Sequence, residues 1–246
     1  MEGVHISLKA EKVFTFFNIP ITNSTLTTWL VMAFLLIFSF IVSRRITLIP
    51  SKLQIIVEML VGGIYNFFET VTKEKTKTFF PLLGTLFIFI IFLNWFGLVP
   101  GVGTIGINEI EEGHKVFIPL FRAGSADINT TLALAIISVV TIQYFGLKTL
   151  GMEYVGRFFN FKNPIYFFVG ILELVLEFAK ILSFSFRLFG NIFAGEVLLT
   201  VIAFLMPLIA PIPFMGLELF VGFIQALVFS MLTAVFLSLA TARTEH

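Results

Sequence analysis

The sequence predicts an all-α integral membrane protein: a helical bundle of five membrane segments plus one amphipathic interfacial helix, with the last two segments forming a long tilted hairpin. Three observations carry that reading. Hydrophobic residues make up 58% of the 246 positions and charged residues only 13%, a balance no water-covered domain sustains. Several apolar runs reach or exceed the roughly 18–20 residues that cross a bilayer as a helix. The alternating pattern of about ten residues that marks an outer-membrane barrel strand is absent. The net charge of +1 supplies no basic field for nucleic acid, and the lack of cysteine removes disulfides, thiolate metal sites and cysteine nucleophiles together.

The chain reads as a single membrane domain over 1–246, and its elements follow in order. Residues 1–25 form an outer N-terminal segment without the basic start, short apolar core and small-residue cleavage site of a secretory signal. The first span covers 26–45 and closes on Arg44 and Arg45. Pro50 interrupts the chain. Residues 52–72 then place Leu53, Ile56, Val57, Leu60, Ile64, Phe67, Phe68 and Val71 at helical spacing among Gln54, Glu58, Asn66 and Glu69, the pattern of an amphipathic helix at the membrane interface or against the bundle. "KEKTK", at 73–77, marks an aqueous surface.

The second span covers 78–99, the outer loop 100–126 and the third span 127–149. The fourth segment, 164–206, is too long for a simple crossing: at 1.5 Å rise its length is roughly 64 Å, about twice the hydrocarbon thickness. It must tilt strongly, bend or divide into two helices. "PLIAPIP", with Pro207, Pro211 and Pro213, reads as a tight turn that does not continue a helix, and the last helix covers 213–241.

Five spans put the termini on opposite faces. Arg44, Arg45, Lys52, Lys73, Lys75, Lys77, Lys148, Arg157, Lys162 and Arg243 collect on one face, against Lys9, Lys12, Lys115 and Arg122 on the other. The positive-inside rule makes the first face cytoplasmic, so the N-terminus lies outside and the C-terminus inside.

"GVGTIG", 101–106, matches the letters of a dinucleotide-binding loop, but that function needs a preceding parallel strand and a following helix. Here it follows a membrane span and runs into an acidic loop, so a flexible connector is expected. His5, His114 and His246 are too scattered in sequence to suggest a metal site, and neither a metal nor a cofactor is expected.

Charged groups inside membrane segments are costly and ordinarily face protein or a water-filled cavity. Glu173, Glu177, Lys180, Arg187 and Asn191 fall on one stripe about 80° wide at helical spacing, whereas Ser183 and Glu196 fall outside it. Glu218, Gly222 and Gln225 form a second stripe on the last helix. An antiparallel hairpin in a single register sets Arg187 near Gln225 and Glu196 near Glu218. Two adjacent carboxylates at low dielectric do not both ionise easily, so such a pair can take and pass a proton. Arg187 keeps its charge, and its expected role is electrostatic. The alternative is a static network in which Glu173 and Glu177 neutralise Lys180 and Arg187.

"RLFGNIFAGE" (187–196), "GSADINTTLALA" (124–135) and "IQALVFSMLTAVFLSLA" (224–240) resemble subunit a of the F-type ATP synthase, and the resemblance extends over nearly the whole chain. It implies a membrane stator that is not an enzyme by itself, working against a ring of c subunits in a bacterial plasma membrane, with peripheral-stalk b subunits as further partners. The translocated ion is H⁺ or Na⁺. By resemblance Arg187 separates two offset half-channels, and Gln225 lies beside it. Glu196, Glu218 and Asn191 belong to the outer half-channel; Glu173, with Glu177 and Ser183, belongs to the cytoplasmic one, and Lys180 joins the ion-translocating set from the same stripe. Asp127 and Asn129 match the polar start of the third span. The chain departs from the family where many members have a Glu/His pair at the positions of Glu196 and Glu218, and in "NWFGLVP" (94–100), which lacks an acid that some members carry. A self-contained secondary transporter would show repeats with paired broken helices, which this sequence lacks; a structural anchor would leave the aligned stripes without a purpose.

Overall fold

The computed structural model describes residues 10–16, 19–44, 46–99, 101–102, 105–111, 114–158, 164–207 and 209–242. Lys9, Arg45, Lys162 and Arg243 of the basic asymmetry, with His5, Glu112 and His246, lie outside the described residues.

A short antiparallel hairpin, β1 (Lys12–Phe16) and β2 (Ile19–Thr22), leads into α1 (Asn23–Ser43). Thr22 caps α1 by accepting the Thr25 amide at 3.3 Å, and Ser51 caps α2 (Lys52–Thr72) in the same way through Gln54. A 3₁₀ turn at Lys73–Lys75 breaks the chain before α3 (Thr76–Phe96). Lys73 there adopts a left-handed φ of 48°, and the Thr72 and Thr76 hydroxyls bridge the break at 2.7 Å. A second antiparallel hairpin, β3 (Gly106–Glu111) and β4 (His114–Pro119), follows. The helices α4 (Ile128–Leu150), α5 (Met152–Phe158), α6 (Pro164–Leu205) and α7 (Pro211–Thr241) complete the chain.

Two expectations change at this level. The connector expected through 100–126 contains the β3–β4 pair, and "GVGTIG" ends on the first residue of a strand, so the helix that dinucleotide binding requires does not follow it. Pro211, expected in the turn, opens α7 two residues earlier than expected, and with Pro213 it stands in the first helical turn, where a missing amide costs nothing because that amide has no intrahelical acceptor. The long fourth segment is one unbroken helix of 42 residues.

Five helical stretches are long and apolar enough to cross a membrane: α1, the continuous stretch containing α2 and α3, α4, α6 and α7. Leu83, Ile90 and Leu93 of α3, Ala135 and Ile142 of α4, Leu188 of α6, and Ala226, Phe229 and Leu237 of α7 form the core. Lipid tails are as apolar as these side chains, so close approach and van der Waals contact hold the helices together. Small side chains permit that approach: Ser138, Ser230 and Thr233 are buried and return their hydroxyls to carbonyls one turn earlier on their own helices.

Candidate functional site

The site is built on the α6–α7 hairpin. Phe184 and Phe229 meet with ring centroids 5.0 Å apart, and a β-carbon added at Gly195 would overlap the Glu218 carboxyl. These two contacts share one register, and Arg187 and Gln225 stand at about the same level of the hairpin between them, with Arg187 on the exposed face of α6. Gly195 is required because the Glu218 carboxyl, itself buried, occupies the space where a side chain would begin.

Phe184, Ser185, Leu188, Ile192 and Gly195 make the buried face of α6. Ser183, Phe186, Arg187, Gly190, Asn191 and Ala194 make its exposed face. The predicted polar stripe straddles the boundary between the two. Glu177 turns inward and accepts from Gln143 Nε2 of α4 at 2.7 Å and from Lys180 Nζ at 2.6 Å. Gln143 in turn accepts from the Tyr154 hydroxyl of α5 at 2.8 Å, and Lys180 lies 4.5 Å from the Phe236 ring centroid of α7. Glu173 is half-buried. Arg187 and Asn191 face outward, and Arg187 Nη2 donates to Ser183 Oγ at 3.2 Å. Ser183, placed outside the stripe by its angle, is therefore Arg187's neighbour.

Among the described residues no carboxylate lies within ion-pair distance of Arg187. The static network accordingly covers only Glu177 and Lys180.

Glu196 turns to another side, toward the segment before α4. Arg122 Nε lies 3.0 Å from both of its carboxylate oxygens. Glu196 and Glu218 thus share a level of the hairpin, but the partner of the Glu196 carboxylate is a cation. Arg122 also sits 5.7 Å from the Phe193 ring, one turn back along α6. Composition and spacing did not reveal it, because it stands in a loop 74 positions before its partner and belongs to no motif.

Around this level lies a set of buried polar contacts. Asp127 caps α4 by accepting the Asn129 amide at 3.0 Å and its side-chain amide at 3.1 Å, and it accepts the Ser24 hydroxyl of α1 at 2.9 Å. Ser125 donates to Asn94, whose Nδ2 donates to the Gly222 carbonyl of α7 at 2.8 Å. Thr131 of α4 and Ser185 of α6 meet at 3.1 Å. Asn94 and Trp95, from "NWFGLVP", both bind α7 backbone carbonyls, Trp95 through Leu219 at 3.0 Å. That stretch fastens α3 to α7 with neutral donors.

The fold and this distribution of charge define a polytopic helical membrane protein that carries Glu173, Glu177, Lys180, Arg187, Glu196 and Glu218 along one long helical hairpin. The family described as ATP synthase A chain matches residues 25–238, and the chain belongs to that family. ATP synthase subunit a of Gloeobacter violaceus is 38% identical over 213 residues, covering 86% of this chain and 80% of the relative. The Geotalea daltonii subunit a is 35% identical over 213 residues, with 85% and 83% covered. The Moorella thermoacetica subunit a is 31% identical over 228 residues, with 92% and 94% covered.

Proposed function

We propose that this chain is the proton-translocating stator subunit of an F-type ATP synthase, coupling ion flow to rotation of a c-subunit ring without performing chemistry on ATP itself. The observation that carries the reading is Arg187: a permanently charged side chain on the exposed face of a membrane helix, with no carboxylate partner among the described residues. An arginine facing lipid there is costly, whereas one facing a passing carboxylate on another subunit is compensated. Its charge then favours the ionised form of that carboxylate and blocks direct proton passage along the interface.

The polar groups on either side of Arg187 support two offset half-channels. Glu196 lies nine residues toward the α6–α7 turn and Glu177 ten residues the other way, each about 14 Å along the helix axis. In this reading Glu196, Glu218 and Asn191 serve the outer route, Asp127 and Asn129 line its start, and Gln225 stands beside Arg187. Glu173, Glu177, Lys180 and Ser183 serve the cytoplasmic route. The chain is a single membrane domain of a bacterial plasma membrane, N-terminus outside and C-terminus cytoplasmic, held beside the ring with peripheral-stalk b subunits. The translocated ion is H⁺, with Na⁺ as the alternative.

The test is Arg187→Gln in the assembled complex. Complex content unchanged with proton-driven ATP synthesis abolished is expected; retained coupling overturns the proposal.

A further inference from the structure

We infer that Arg122 is a positioning residue for Glu196, holding that carboxylate in place on the outer route; the inference rests on the function proposed above. The argument begins with how Arg122 itself is held. Its backbone amide donates to Thr27 Oγ1 of α1 at 3.2 Å, and Thr27 donates to the Asn23 carbonyl at 3.1 Å. The next residue, Ala123, lies so close to Gly97 that a β-carbon there would overlap it. A β-carbon at Gly124 would come within 2.7 Å of both Leu93 Cδ2 and Thr28 Oγ1. Two glycines thus let the loop wedge between α1 and α3, and the Arg122 side chain is buried while that of Glu196 remains 38% exposed.

That asymmetry assigns the roles. The arginine is the fixed partner and the glutamate the accessible one. A guanidinium stays charged, so it orients the carboxylate without competing for the proton. Glu196 is also within electrostatic reach of Glu11, from the segment preceding β1, and Glu218 of α7 lies over the adjacent Gly195. With two further carboxyl groups on this side, the Arg122 cation, 3.0 Å from both oxygens, is the counter-charge that fixes the orientation of the Glu196 carboxylate.

The experiment measures proton-driven ATP synthesis in membrane vesicles against the pH of the outer-face compartment, for complexes with Arg122→Gln, Arg122→Lys, Glu196→Gln and the double variants. Arg122→Gln is expected to lower the rate at the wild-type optimum about threefold or more and to change the shape of the profile, and Arg122→Lys to restore most of the change; neither substitution should change the profile further in the Glu196→Gln background. A wild-type profile for Arg122→Gln, or an equal effect with Glu196 already neutral, overturns the inference. If Arg122→Gln does not assemble, Arg122→Lys decides on the same criterion: a smaller effect on the profile that vanishes with Glu196→Gln supports positioning, and one that persists overturns it. Arg187→Gln, run alongside, separates the two claims. Loss of coupling there with additive Arg122 effects defeats only the positioning role, whereas retained coupling defeats the function itself.

Discussion

Two arginines approach the same helix from different sides. Arg122 is buried, meets both oxygens of Glu196 at 3.0 Å and is fixed by a loop wedged between α1 and α3. Arg187 lies exposed on α6 and touches a serine one turn away. The difference teaches that a charge in a membrane segment can be settled in two ways. Arg122 and Glu196 supply each other's counter-charge within the chain, whereas the charge of Arg187 stays on an open face, where the proposed function puts a passing carboxylate of another subunit.

The largest expected effect comes from erasing the open charge. On the proposed function, in which the Arg187 charge acts on a partner's carboxylate, Arg187→Gln should lower proton-driven ATP synthesis about 100-fold or more, while complex content on a native gel stays near wild type. Gly195→Ala ranks next: the added methyl needs the space of the Glu218 carboxyl, and displacing that group should lower coupling about tenfold, whereas Gly190→Ala, with open space at its β-carbon, should change little. An equal loss in both would mean that Glu218's seat on α6 does not matter.

Gly124→Ala should act on stability more than on coupling. Its methyl meets Leu93 and Thr28, an overpacking worth about 1–3 kcal/mol, read as a lower melting temperature of the detergent-solubilised complex. Glu177→Gln keeps an acceptor for Gln143 but strips Lys180, a mostly buried cation, of its counter-charge, and should lower the same melting temperature by a comparable amount. In this cysteine-free chain, cysteines at Phe184 and Phe229 should crosslink on oxidation, and a register slipped by a full turn would show as linking to a neighbouring position instead.

Much of the hairpin was legible because helical periodicity is a local property. The apolar lengths of α1, α3, α4, α6 and α7 follow from counting, and the facing of Glu218 with the Gly195–Glu196 level follows from residue spacing once an antiparallel turn is granted. The strands β1 to β4 were not legible: each has only four to six residues, too few for a period to stand out, and their pairing adds order to segments read only as an outer segment and a connector. Pro211 was misplaced because the same residue that ends a helix also opens one.

The sequence by itself determined a helical membrane protein, the register of its last hairpin, and the presence of an arginine that could not be a casual passenger in an apolar segment. Only the tertiary structure decided which carboxylate each cation meets. Glu177 proved to belong with Lys180 and Gln143, and Glu196 with Arg122, leaving Arg187 beside Ser183 on an open face. Periodicity specifies the angle of a side chain about its own helix, but what stands at that angle depends on how distant segments pack. Here it depended on two glycines that let a loop close enough for Arg122 to reach α6.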